Sequence, residues 1–221
     1  MALYKDWCAG TKQKNKKKTL RTYTEKAGGR AAALEQLGEA VRTHYDQADR
    51  IADDVARLGY DGAAEILRAL LPQSKRARSG DLGEILASEL VEEETNFRVP
   101  VWRMRFKDGR EVAMRGDDFI GVGVGSDGKL WLLKGESKSR ANLGNVTIAE
   151  AREALSDRNQ HVISLHIEDH QAFIAEVYEE AIVSPSRASF AHCHHYSVVT
   201  NSGRPKISRR SCVMLESRST A

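Results

Sequence analysis

Two short β-prone runs constrain this chain more than any other feature. Phe119-Ile120-Gly121-Val122-Gly123-Val124 and Leu130-Trp131-Leu132-Leu133 lie on either side of Ser126-Asp127-Gly128. Apolar runs around a glycine-containing turn predict an antiparallel hairpin. A strand alternates its faces with period two, so the turn sets the face of every residue. With a three-residue turn at Ser126-Asp127-Gly128, Asp118 lies directly opposite Glu136 and shares its face with Lys138. A two-residue Asp127-Gly128 turn shifts the register by one and brings Asp117 to that face instead. Ile120, Val122 and Val124 share parity with Asp118, which favours the first register.

The residues gathered at this strand end carry chemistry. Asp118, or Asp117 in the other register, and Glu136 supply hard oxygen ligands suited to Mg²⁺, for which Mn²⁺ can substitute. The carbonyl of Ser137 is a further candidate ligand, and a small residue suffices there. Lys138 is placed to orient an attacking water or to neutralise charge developing on a phosphate. An acid–acid–lysine cluster of this kind suits metal-dependent phosphodiester cleavage. Lys134 shares the face of Glu136 and is read either as a contact to a substrate backbone or as a snorkelling surface lysine. The plainer reading of the whole motif is a hairpin whose charged ends face water.

Upstream, Ser79-Gly80-Asp81-Leu82-Gly83-Glu84-Ile85-Leu86 opens a helix. Asp81-x-x-Glu84 has capping-box spacing, with Asp81 as N-cap and Glu84 reaching back to its N–H. Gly80-Asp81-Leu82-Gly83-Glu84, Arg115-Gly116-Asp117-Asp118 and Gly135-Glu136-Ser137-Lys138 together resemble the PD-(D/E)xK nuclease superfamily. More narrowly, they are similar to HamA, the nuclease-subunit family of the Hachiman antiphage defence system. The resemblance covers roughly residues 75–160 in motif terms. The superfamily's proline before the first acid is absent, while its Gly-x-Asp pattern points to Asp118.

The resemblance implies a restriction-endonuclease-like α/β (α+β) fold, a mixed sheet flanked by helices. It implies Mg²⁺-dependent cleavage of DNA, with Glu84 joining Asp118, Glu136 and Lys138 as the catalytic set. It also implies a helicase partner that hydrolyses ATP and holds the nuclease in check. No P-loop occurs in the chain, so ATP hydrolysis is not expected of it. The alternative is a noncatalytic nucleic-acid-binding subunit on the same scaffold. A pure binder has no need to gather Asp–Glu-x-Lys, which favours the enzyme.

The rest of the chain reads as a helical first third and a mixed remainder. Residues 1–74 are expected to form a basic segment and a helical lobe, and residues 75–221 the nuclease core. Helical spacing runs from Ala31 to Leu58, where Gly59 ends it, and Asp61 to Leu71 forms a second helix before Pro72. The third helix runs from Asp81 to about Glu94. Phe97 to Phe106 reads as a strand, with Pro100 at an edge, and Asp108-Gly109 turns it into Glu111-Val112-Ala113-Met114. Thr147-x-x-Glu150 is read as a capping box opening a helix to about Asp157. A helix from Glu168 to Val183 and strands near Phe190–Thr200 and Ser211–Glu216 complete the reading.

Charge is modest overall, with 34 Lys and Arg against 31 Asp and Glu, but it is unevenly spread. Lys12, Lys14, Lys16, Lys17, Lys18 and Arg21 crowd the start, as a phosphate-binding arm or a solvated tail. Lys75, Arg76, Arg78 and Arg115 flank the expected site and suit a nucleic-acid backbone. Three cysteines without paired spacing, and no apolar leader, point to a reducing cytoplasm, which the resemblance implies is bacterial. His192-Cys193-His194-His195 invites a zinc reading, but a strand would send these side chains to opposite faces, and no second ligand pair stands at finger-like spacing.

Overall fold

The computed structural model describes residues 2–14, 18–112, 114, 116–124, 130–141, 144–154, 161–166 and 212–217. Along them run α1 (Leu3–Trp7), β1 (Cys8–Lys14), β2 (Lys18–Glu25), α2 (Gly29–Tyr45), α3 (Ala48–Leu70) and α4 (Lys75–Glu94). A 3₁₀ turn (Arg103–Phe106) follows, then β3 (Phe119–Val124), β4 (Leu130–Arg140), α5 (Asn145–Ala154), β5 (His161–His166) and β6 (Cys212–Ser217). The fold is α+β. Its strands form one six-stranded sheet in the order β1-β2-β6-β5-β4-β3. All neighbours are antiparallel except β4 and β5. A parallel pair needs a crossover, and α5 lies on the connection that supplies it. Segments from both sides of residue 74 thus share one sheet.

Helix α4 is the centre of the core. Leu82, Ile85, Leu86, Ala87, Leu90 and Val91 are all essentially inaccessible. A helix apolar around most of its circumference must be covered on several sides, and α4 packs against β4, α1 and α2. Its close approach to β4 depends on small residues. A Cβ at Gly83 would lie 2.9 Å from Ser139 Cβ and 3.2 Å from Ser137 Oγ. Ser79 and Ser139 hydroxyls meet at 3.2 Å across the same contact.

Three successive glutamates at the end of α4 tie separate segments to it. Glu92 accepts the Val99 N–H at 2.8 Å. Glu93 accepts the N–H groups of Tyr4 and Lys5, each at 2.8 Å, within α1. Glu94 pairs with Arg21 of β2. The lysine-rich start, over its described residues, is therefore the β1–β2 hairpin rather than a tail. Its strand β1 is exposed from Ala9 to Lys14, and a polar edge strand lacks the alternation that announces a strand.

Other expectations change as well. The helix expected to run unbroken from Ala31 to Leu58 stops at Tyr45. Asp46 is extended, and its carboxylate accepts the Gln47 N–H at 2.8 Å. Gly59, by contrast, breaks the helix as expected: with φ 73° and ψ 175° it separates two helical segments within α3, the second ending at Leu70. Helix α4 begins at Lys75, where the Ser74 hydroxyl accepts the Ala77 N–H at 3.2 Å. Asp81 is therefore interior to the helix, and the Asp81/Glu84 capping box does not form.

The stretch from Phe97 to Phe106 is not a strand. Only Arg98 pairs, with Val122 of β3, before the chain coils into the 3₁₀ turn. Tertiary contacts overrule the β propensity. Trp102 stacks on His44 of α2 at 4.7 Å, and Arg105 donates to the Thr43 carbonyl at 2.6 Å. Glu111–Met114 contributes a single bridge, Gly109 to Val112. Helix α5 begins at Asn145, so Thr147 is not its N-cap. Strand β5 was not anticipated, whereas β6 matches the strand read at Ser211–Glu216. The helix read at 168–183, the strand near 190–200 and His192-Cys193-His194-His195 lie outside the described residues. Among the described residues no helix is long and apolar enough to cross a membrane, and the Cys8 thiol is free and buried.

Candidate active site

The hairpin ladder pairs Phe119 with Gly135 and Val124 with Leu130. This is the register of the three-residue turn; Asp118 lies in a bend just before the ladder's last pair and reaches β4 through its side chain. The physical reason differs from the expected one. Ile120 is 50% exposed and Val124 67%, whereas Phe119 on the other face is 2% exposed. Phe119 anchors the register by filling the space over Gly135, where a Cβ would meet its ring at 1.8 Å. The turn residues 125–129 lie outside the described residues.

Asp118 is held from two sides. Its Oδ2 accepts the Ser137 N–H at 2.6 Å. Its Oδ1 lies 3.3 Å from Arg103 Nη1, and the same nitrogen lies 3.0 Å from Glu84 Oε2. Arg103 Nη2 donates to the Met114 carbonyl. One guanidinium thus joins an acid of α4 to the acid that precedes β3. Glu136 pairs directly with Lys138 on β4. Glu136 is only 8% exposed, so this is not the open strand end that the sequence suggested. One helical turn before Glu84, buried Asp81 receives Lys107 Nζ at 2.6 Å and the Tyr45 hydroxyl.

The charges are crowded and dry. Burial raises the Glu84 carboxyl to about 8, and nearby Asp118 adds to the rise while Arg103 opposes it. Burial likewise raises Asp118 to about 6, with Glu136 adding to it and the Ser137 N–H and Lys138 opposing it. Desolvation and like charge both disfavour the ionised form. Among the described residues Arg103, Lys138 and, for Glu84, Lys107 oppose these acids, while Asp81 adds a further negative charge beside Glu84, so acid remains in surplus there.

The remaining expected residues are placed differently. Asp117 pairs with Lys134 at 2.6 Å, on the partly exposed side of the hairpin. The pair occupies both side chains with each other. Ser137 turns its hydroxyl toward α4, where the Oγ is buried without a hydrogen-bond partner. Its small size serves the Gly83 contact. Lys75 and Arg76 are exposed on the first turn of α4, and Arg78 donates to the Pro72 carbonyl at 2.7 Å. At a helical rise of about 1.5 Å per residue, that turn lies on the order of 13 Å from Glu84. Arg115 lies outside the described residues.

The donor chemistry suits a hard divalent ion, since Glu84, Asp118, Glu136 and the Ser137 carbonyl offer oxygen alone. As the side chains lie, no three His, Cys, Asp or Glu groups among the described residues converge closely enough to hold one. Arg103 stands between two of the acids and Lys138 lies on the third. Sequence reasoning missed Arg103 and Lys107. Arg103 sits in a run read as a strand, where it shares parity with Arg105. No local signal marks it.

Two comparisons bear on these residues. A family model described as HamA matches residues 1–160 of the 221. The Hachiman protein HamA of Bacillus cereus is 28% identical over 89 residues, covering 40% of this chain. That alignment spans 31% of the length of the Bacillus protein.

Proposed function

This chain belongs to the HamA family, and from that premise we propose that it is the Mg²⁺-dependent DNA nuclease subunit of an antiphage defence system. The observation that carries the proposal is the meeting of three acids and a lysine from three segments. Asp118 accepts the N–H of Ser137, the residue between Glu136 and Lys138, Lys138 pairs with Glu136, and Glu84 is linked to Asp118 through Arg103. A restriction-endonuclease-like core is supported by the run α4, β3, β4, α5, β5, with β4 and β5 parallel. The Arg98–Val122 bridge lies where a further core strand would pair with β3.

In this reading Asp118, Glu136, Glu84 and the Ser137 carbonyl would hold the ion. Mg²⁺, when bound there, would supply Lewis-acid charge to the scissile phosphate and its attacking water. The Ser137 N–H fixes the Asp118 carboxylate, so its orientation does not wait for substrate. Lys138 is held against Glu136, within reach of the same acids, and orients the attacking water or offsets charge on the phosphate. Lys75 and Arg76 offer exposed positive charge to the nucleic-acid backbone. A helicase subunit docks on the helical first third and restrains cleavage.

Nicking of supercoiled plasmid in Mg²⁺, compared with EDTA, tests the proposal. Nicking that requires Mg²⁺ and is lost in Glu136→Ala/Lys138→Ala is expected. DNA binding without cleavage under any divalent ion would replace the nuclease with a binding subunit.

A further inference from the structure

Arg103 has no part in the chemistry proposed above, yet it is a buried cation that touches two of the site's acids. Its side chain is 8% exposed, so a nucleic-acid backbone does not reach the guanidinium. Nη1 lies 3.0 Å from Glu84 and 3.3 Å from Asp118, and Nη2 is satisfied by the Met114 carbonyl. The 3₁₀ turn that carries it is clamped to α2. Trp102 stacks on His44 with ring planes 8° apart, and the Arg105 guanidinium lies 4.3 Å over the Trp102 ring. Arg105 donates to the Thr43 carbonyl as well. Helix α2 therefore holds the turn, and the turn holds Arg103 between acids of two other segments.

Two buried carboxylates without a counter-charge are costly to keep ionised together. Arg103 meets that cost by placing one nitrogen where both acids face each other. An ion shared by Glu84 and Asp118 needs the same oxygen lone pairs, so the two cations exclude one another there.

We propose that Arg103 is the resident counter-ion of this site: it organises Glu84 and Asp118 in the ion-free protein and must leave them for a divalent ion to bridge both. The inference rests on the metal-dependent reading of the site. It makes Arg103 a positioning residue whose coupling to the ion is negative and reciprocal. A guanidinium that merely braced Asp118 for the ion would have the opposite sign, because its loss would weaken ion binding.

Calorimetric titration of Mn²⁺ into the metal-free full chain separates these signs, using wild type, Arg103→Met and Arg103→Lys. Thermal midpoints are measured on each with and without Mn²⁺. Arg103→Met is expected to bind Mn²⁺ roughly tenfold more tightly. It should melt below wild type without the ion and gain more from it. A lysine ammonium cannot span Glu84, Asp118 and the Met114 carbonyl at once, so Arg103→Lys should bind more tightly by a smaller factor. That variant carries the test if Arg103→Met does not fold. Equal or weaker Mn²⁺ binding in the variants, with wild type binding the ion, overturns the inference and leaves the nuclease reading standing. Absence of Mn²⁺ binding in all three proteins overturns both.

Discussion

The backbone N–H of Ser137 donates to Asp118 Oδ2 at 2.6 Å, so one strand's main chain orients the acid that precedes its neighbour. The bond ties the position of Asp118 to the register of the β3–β4 hairpin. Glu136 and Lys138 flank that N–H on either side along β4. Any change of register would separate all three.

Removing Glu136 and Lys138 together should abolish cleavage while leaving the fold in place. Deleting both members of a partly buried ion pair leaves no orphaned charge, so the stability cost is on the order of 1 kcal/mol. Loss of nicking by about a hundredfold or more, with an unchanged circular dichroism spectrum, is the expected result. Wild-type nicking in the folded double variant would remove this pair from the chemistry.

Asp118→Asn should weaken Mn²⁺ binding at least about tenfold, and Asp117→Asn should not. The asparagine oxygen can still accept the Ser137 N–H, which separates charge loss from misplacement. Asp117 is engaged with Lys134 at 2.6 Å, so its loss frees only a surface lysine. Calorimetric titration of both variants decides between them, and a selective defect in Asp117→Asn would reverse the assignment.

Gly83→Ala should destabilise the protein by about 1–3 kcal/mol, because the helix–strand contact has no room for the added methyl. The nearest obstacle is Ser139 Cβ at 2.9 Å. Ser139→Gly should recover part of the loss in the double variant, a coupling that denaturant unfolding of the four proteins measures. Strict additivity would mean that α4 shifts along β4 instead.

Lowering the pH from 8.5 to 6 should stabilise the metal-free protein. Glu84 and Asp118 have carboxyl groups raised to about 8 and about 6, from ordinary values of 4.5 and 3.8. The folded state therefore binds protons that the unfolded chain has released. That contribution is complete below the unfolded values and is lost as pH rises through 6 and then 8. A thermal midpoint lower at pH 8.5 than at pH 6 by roughly 2–6 °C is expected, and millimolar Mg²⁺ should narrow the gap. A midpoint that does not fall with pH over this window would mean that Arg103 and Lys138 already neutralise the cluster.

Local pattern made part of this site legible. Period-two alternation and a glycine-bearing turn left two registers open and favoured the one whose ladder pairs Phe119 with Gly135, because a hairpin's register depends on a few adjacent residues. The pattern was right for a partly different reason, since Phe119 rather than Ile120, Val122 and Val124 lies on the buried face. Glu84 was visible as a motif position, but its environment was not. Ser74 caps α4 seven residues before Asp81, which turns a presumed helix start into a buried middle. The β1–β2 hairpin escaped notice because an edge strand with no buried face carries no alternation.

The sequence by itself determined the β3–β4 hairpin, the common face of Glu136 and Lys138 on β4, and the helices between residues 29 and 70. These follow from interactions between residues close along the chain. Only the tertiary structure decided that Arg103 turns inward between Glu84 and Asp118, that Asp81 meets Lys107 and Tyr45, and that the first and last described strands share a sheet. The reason lies in burial. Whether a charge is solvated or trapped depends on which distant segments close over it, and that closure has no period along the chain to be read.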